Sequence, residues 1–587
     1  MRRGSIALFG IVAAALYWAP ALYHFDRTGF GDWQTFVHQW EATRAGLFRH
    51  GELALWNPWH CGGTLLWGDP QAQGFGPIFW LTVVPFGSAI GGHLFLWIHA
   101  AIGFAGMFVA ARRLLGVGAP ASVAASIVWA GSGFFAWHGS GGHAAFLPFY
   151  FTPWLLLFWR QAPKDPRHGV ATAFVLALTL WEGGVYPFPY FALLLGFDTV
   201  VQLVRAPEPP LECRATRWAI VRTALWVAPL ALLLGAWRLV PSLLTMSRYP
   251  RPTFESDQLS FDEVIAMLTA KDYDYAFPGH EYVWAEYGTF VGWTALLLAL
   301  AGLPVAWRRG HRWVVIGAVF FGATMMGRVS PLHPWSLLHH LPVFGSLRVP
   351  SRFAVFLTFY LGFGAAFAMQ WLRTRLADAR LGPWAVPALV LLGTSAHLYW
   401  GNAEVIDRWR EAAPPRVDRS PEQYYLTPQA EYGAYASFPA RGVSTRGCYT
   451  GMTFEAARGL WEGRREQARV PGGTLHAMRR TANTITLDVE REGDAPVVLN
   501  QTWAIGWTSS LGRVERGPSG LIELHDLPSG RHEVKLRFFP EELPLTAGLT
   551  GLGFVASGVV WGVSRRRRRR ERTKRNDTRL TATAGPR

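Results

Sequence analysis

Long apolar runs separated by short polar or basic intervals make up most of the chain, and its hydrophobic positions follow two different periods. A bilayer crossing needs about 20 mostly apolar residues, and about twelve runs qualify. They lie at 5–23, 93–113, 119–138, 146–160, 168–186, 187–204, 218–241, 288–306, 312–327, 351–372, 383–400 and 546–563. The pattern predicts an α-helical polytopic membrane protein. Period-two alternation is confined to 401–545. Ile485, Leu487 and Val489 share one face there, and Val534, Leu536 and Phe538 share another, with Glu533, Lys535 and Arg537 on the alternate positions. These positions read as strands with one buried face, and the turns Pro518-Ser519-Gly520 and Pro528-Ser529-Gly530 predict a small β-sandwich. Residues 401–440, rich in Pro, Arg and Glu, read as its linker.

Composition supports the membrane reading, because 50% hydrophobic and 16% charged residues, with 29 Trp and 38 Phe, are too apolar for one soluble core. A net charge of +16 also suits a nucleic-acid binder. The cations, however, gather at the ends of apolar runs: Arg2-Arg3, Arg112-Arg113, Lys164 to Arg167, Arg205 to Arg222, Arg308 to Arg312, Arg373 to Arg380 and Arg565 to Arg570. They fall on alternate sides of the runs and read as cytoplasmic, so nucleic acid is not the expected partner and both termini lie inside. The first run reads as a retained helix, since Trp18, Pro20 and Tyr23 replace the small residues of a cleavage site. The resulting organisation is a membrane domain over 1–400 with external loops 24–92 and 242–287, an extracytoplasmic linker and sandwich over 401–545, a final helix over 546–563, and a basic cytoplasmic tail over 564–587. Cys61 and Cys448 fall outside and could pair, Cys213 falls inside, and the cysteines show no metal-ligand spacing.

Chemistry is expected in the external segments. In the first, Trp33, Phe36, Val37, Trp40, Leu47 and Phe48 recur near helical spacing while Gln34, His38 and Glu41 face elsewhere, which predicts a helix lying on the membrane surface. Asp32 stands at its start, where a carboxylate can cap the free N–H groups or act as a base. Asn57, Asp69 and Gln71 follow in a polar, turn-rich run where side chains either form turns or line a site. Trp33, Trp40, Trp56, Trp59 and Trp67 read as an interfacial belt, though sugars also stack on aromatic faces.

Asp32 followed by WNPWHCGGTLLWGDPQAQGFGP resembles the first loop of YfhO-family bacterial membrane proteins, which carry a WNP…G…P…ADPQ…P signature. The resemblance continues in LHHLPVFGSLRVPSRF at 338–353 and in LPSGRHEVKLRFFP ahead of the last helix. One departure is Gly68 where the family often has Ala. Another is the lack, in 24–92 and 242–287, of the adjacent acids or DxD that many relatives use. The resemblance implies a GT-C-like fold in the cytoplasmic membrane. It implies a glycosyltransferase that takes sugar from a polyprenyl-phosphate donor and passes it to an envelope glycan, lipid or protein on the extracytoplasmic face. The family's aspartate maps onto Asp32 as general base. One carboxylate suffices, because phosphate leaves without an acid catalyst.

A lipid phosphate calls for cations. Arg248, Arg251, Arg348 and Arg352 break the positive-inside bias on the outer side, and the planar Arg fork suits phosphate oxygens. Snorkelling to lipid headgroups is the bland alternative. His138 and His143 around GSGGH, and His38, are candidate substrate contacts; Glu182 in LWEGGVYPF and Asp69 are further candidates for acid, base or ligand to a divalent cation such as Mg²⁺ or Mn²⁺. A lipid or polysaccharide flippase and a non-catalytic envelope assembly protein are the alternative classes. Convergence of Asp32, Asp69, Glu182 and Arg348 on one outward-facing cavity would favour transfer, whereas a cavity open to the cytoplasm would favour transport.

Overall fold

The computed structural model describes residues 3–204, 216–250, 257–271, 276–377, 382–415, 417, 424–428, 435–448 and 453–583. Arg251, Cys213 and parts of two basic segments, 205–215 and 378–380, lie outside the described residues.

Each of the twelve apolar runs coincides with helix, but the helices differ in length. Five among the described residues are long and apolar enough to cross a membrane: Ser88–Leu115, Pro187–Val204, Arg217–Arg248, Pro350–Arg375 and Leu543–Arg568. The chain is therefore a multi-pass membrane protein. A further pair, Ala119–Ala130 and Gly133–Ser140, is apolar enough when taken together and bends by 41° at its break, as a broken span or a re-entrant loop does. Other runs form shorter helices, such as Thr152–Gln161 behind a 3-10 helix over Ala144–Phe151 that contains Pro148. Proline and glycine at these joints interrupt the intrahelical ladder, so apolar length and helix length part company.

Close helix packing is carried by small residues. A Cβ on Gly302 would stand 1.7 Å from the Gly364 carbonyl oxygen, so Gly292–Arg308 and Ala354–Arg375 cross at backbone contact, as small-residue interfaces in bilayers do.

The first external segment departs from expectation in three ways. Its helix, Trp33–His50, is internal: Gln34, His38, Glu41 and Thr43 on its polar side are as buried as Trp33 and Trp40. Glu41 is paired to Arg44 (2.8 Å), and on the same helix Gln39 Nε2 donates to Asp69 Oδ2 (2.8 Å). The five tryptophans read as a belt are each at most 1% exposed, so they are core and not interface. A ten-residue apolar helix, Pro77–Phe86, also lies inside the segment read as loop.

Beyond the helices, two four-stranded antiparallel sheets face each other. One contains Thr484–Arg491 and Gly530–Phe538, the other Val497–Thr502 and Leu521–His525. Ile485, Leu487, Val489, Val534, Leu536 and Phe538 are all buried, as their alternation predicts. The WNPWHCGG stretch docks on this unit. Leu55 N and Trp56 N donate to Asn483 Oδ1 (2.8 and 3.1 Å), Thr502 Oγ1 donates to the Cys61 carbonyl (2.7 Å), Trp56 packs on Trp507 and Phe538, and Cys61 is disulfide-bonded to Cys448. The segment read as linker is structured in part, since Tyr425–Thr427 pairs in parallel with Val443–Thr445.

Candidate functional site

The site is assembled where the GSGGH turn passes the start of helix Trp33–His50. Gly142 holds φ +91°, and a Cβ there would lie 2.0 Å from the Trp33 amide nitrogen. Only glycine allows both the left-handed backbone and this approach. Asp32 N donates to the Gly141 carbonyl (3.1 Å) and Trp33 Nε1 to the Gly139 carbonyl (2.7 Å), which locks the two segments together. Asp32 and His143 are adjacent as a result: Asp32 Oδ2 is 3.7 Å from His143 Nε2. Asp32 occupies the N-cap position, but its side chain makes no capping hydrogen bond.

Three further groups complete the cluster. His138 Nδ1 is 2.5 Å from His143 Nδ1, Glu286 Oε1 is 3.9 Å from His143 Nε2, and Arg352 grips Glu286 with both arms of its fork, Nε to Oε2 at 2.8 Å and Nη2 to Oε1 at 2.5 Å. Ser351 Oγ also donates to the Glu286 carbonyl (2.8 Å), so LRVPSRF is fastened to the short 3-10 helix Trp284–Glu286. Burial would raise the Glu286 carboxyl, but the Arg352 guanidinium and the neighbouring histidines outweigh it and hold the group well below the usual carboxylate range. Glu286 is therefore an anion at neutral pH. The Arg352 guanidinium lies between the rings of Phe146 and Tyr186, 4.8 Å from each centroid.

Tyr186 also lines a groove, whose walls include Asp69, Gln71, Met246, Tyr249 and Leu347. The groove is mainly apolar, with Asp69 and Gln71 as polar points. Burial pushes the Asp69 carboxyl up despite the Gln71 amide that donates to it.

The remaining sequence candidates sit elsewhere. Glu182 is buried and accepts from Ile78 N (2.8 Å), so it caps the helix Pro77–Phe86. Asn57 Oδ1 accepts from Trp59 N (3.1 Å) and forms the turn of the docking stretch. His38 is buried beside His60. Arg248 lines a separate hollow of about 390 Å³ with Glu541 and Glu542. Arg348 is half-buried next to the groove residue Leu347. Asp32, Asp69, Glu182 and Arg348 thus do not meet at one point: Asp69 lines the groove, Arg348 follows its lining residue Leu347 in sequence, Asp32 joins the histidines, and Glu182 contacts the start of Pro77–Phe86.

Glu286 was not legible as a site residue. It is a lone acid in VWAEYG, without the acidic neighbour that would have marked it, and only its opposition to Arg352 reveals it.

No protein-family model and no curated protein matches the chain. Among solved structures, it is similar to the arabinofuranosyltransferase AftD from Mycobacteria (18% identity, TM-score 0.43, covering 71% of this chain and 28% of that one). It is also similar to the oligosaccharyltransferase of Archaeoglobus fulgidus (12% identity, TM-score 0.44, covering 77% of this chain and 65% of that one). The chain spans under a third of the first protein and just under two thirds of the second, and likeness at this level leaves the function to be argued from the chain's own residues.

Proposed function

We propose that the protein is a membrane glycosyltransferase of the GT-C kind. It transfers a sugar from a polyprenyl-phosphate donor to an envelope glycan, lipid or protein on the extracytoplasmic face of a bacterial cytoplasmic membrane, with Asp32 as general base. The acceptor hydroxyl attacks the anomeric carbon, Asp32 takes the hydroxyl proton, and the bond from that carbon to the phosphate oxygen breaks, releasing polyprenyl phosphate. The observation that carries this reading is the accessibility of Asp32 beside His143. Asp32 keeps 34% of its side chain exposed beside a histidine, and a base must be reachable by its acceptor. The apolar groove lined by Tyr186 suits a prenyl chain, with Arg348, next in sequence to the groove residue Leu347, for its phosphate.

Asp32→Asn tests it. Because Asn keeps the size of Asp and serves equally well at the start of a helix, the substitution should leave folding intact while transfer falls by about 10²–10⁴-fold. Purified protein with a labelled polyprenyl-phosphate sugar and a membrane-derived acceptor would show this, and near-normal turnover would remove Asp32 as the base.

A further inference from the structure

We infer that His138, His143 and Glu286 bind one divalent transition-metal ion, of the zinc class and not the magnesium class. A nitrogen of His138, a nitrogen of His143 and an oxygen of Glu286 lie within 4.8 Å of one another, and they come from three separate elements: the end of Gly133–Ser140, the turn after it, and Trp284–Glu286. Imidazole nitrogens favour borderline first-row ions, whereas Mg²⁺ selects oxygen ligands in near-octahedral sets. Two histidines and a carboxylate with room for a further ligand is the donor count of catalytic sites of this class.

The surroundings fit such an ion. Two Nδ1 atoms at 2.5 Å are at the short limit even for a shared proton. Around a tetrahedral ion with metal–nitrogen bonds of about 2.0–2.1 Å they would open to roughly 3.3 Å. Arg352 uses one direction on each Glu286 oxygen, and a carboxylate oxygen keeps a further lone pair for a metal. If His143 binds through Nδ1, its Nε2 faces Asp32 Oδ2 at 3.7 Å, the carboxylate–histidine pattern that orients a ligand from behind. The charges also balance usefully. Asp32 and Glu286 against Arg352 leave one net negative charge, and a dication turns this to one net positive charge, which attracts a phosphate.

The inference deepens the transfer reading of the same site and rests on that reading for its purpose, but its test needs no turnover. Full-length protein carrying a histidine-free affinity tag is purified in detergent, stripped with a chelator and titrated with Zn²⁺, Mn²⁺ or Mg²⁺, and retained metal is counted by elemental analysis. One Zn²⁺ per chain is expected, with Mg²⁺ failing to displace it at a hundredfold excess. His143→Gln and Glu286→Gln should each weaken binding at least tenfold, while Arg248→Gln leaves it unchanged. If the variants do not remain monodisperse, Co²⁺ loaded into the wild type decides through its visible spectrum: nitrogen-ligated bands support the site, and an all-oxygen spectrum overturns it. Absence of stoichiometric zinc, equal retention by the ligand variants, or ready displacement by Mg²⁺ also overturns it. Failure of metal binding leaves the Asp32→Asn result standing, and failure of that result leaves the metal count standing.

Discussion

Arg352 and Glu286 bring two opposite charges together largely out of reach of water. An arginine on the outer side of a membrane protein reads as a phosphate ligand, yet Arg352 is buried and its fork is spent on Glu286. Taking both charges out of water is costly, so removing one partner leaves the other stranded. Arg352→Met should destabilise the protein by about 3–5 kcal/mol, measured by thermal unfolding in detergent. The double variant Arg352→Met/Glu286→Leu should recover most of that loss, and equal damage in both would show that the pair is not the source. Asn57 accepts from the Trp59 amide in the turn its run suggests, and Glu182 accepts from the Ile78 amide at the start of Pro77–Phe86. Asp32 does not cap, which no spacing rule could have told apart from capping.

Elements are fastened by polar side chains that the alternation of apolar residues does not report. Asn483, at the edge of the sandwich, accepts from Leu55 N and Trp56 N and donates to the Leu53 carbonyl (2.8 Å), so one amide side chain closes three backbone groups of the first loop. Asn483→Ala leaves those groups unpaired and should cost about 1–3 kcal/mol, read as a lower melting midpoint and faster proteolysis near residue 53; an unchanged midpoint would show that water replaces the amide. In the second loop His280 lies between Asp257 (3.0 Å) and Glu263 (2.8 Å). Burial would lower the His280 ring, but these two carboxylates outweigh it and raise it above the ordinary 6.5. Its contribution is therefore complete below that value and is lost as pH rises through the raised one. Burial would likewise raise Glu263, but the Ser260 amide and His280 outweigh it and lower it beneath 4.5, so its contribution is complete above 4.5 and is lost as pH falls through the lowered value. The clamp is then strongest between about 4.5 and 6.5. Amide exchange of the helix Phe261–Thr269 should speed up on raising pH beyond the intrinsic rate change, and His280→Gln should abolish that excess.

At the scale of the whole molecule, the first loop and the terminal sandwich behave as one body, stitched by the Cys61–Cys448 disulfide across a sequence separation of 387. Cross-links over long loops restrict the unfolded chain most, and their loss costs about 2–4 kcal/mol. Cys61→Ser/Cys448→Ser should lower thermal stability by that order, and reductant should do the same to the wild type but not to the variant; reductant-independent melting of the wild type would exclude the bond. Much of this architecture was legible in the chain itself. Apolar length marked each of the twelve helical runs and period-two alternation marked the buried face of the sandwich, because burial is a local constraint on composition. Helix lengths were not legible, since kinks at Gly131 and around Pro148 depend on what packs against them. Nor was the fate of the five tryptophans and the polar face of Trp33–His50, because an amphipathic pattern says that one face is apolar and not whether protein or water meets the other. The site was legible only in fragments: Asp32, His138, His143 and Arg352 stand out singly, while Glu286 and the meeting of all five arise from contacts between segments far apart in the chain. Such contacts leave no periodicity, and only the tertiary structure decides them.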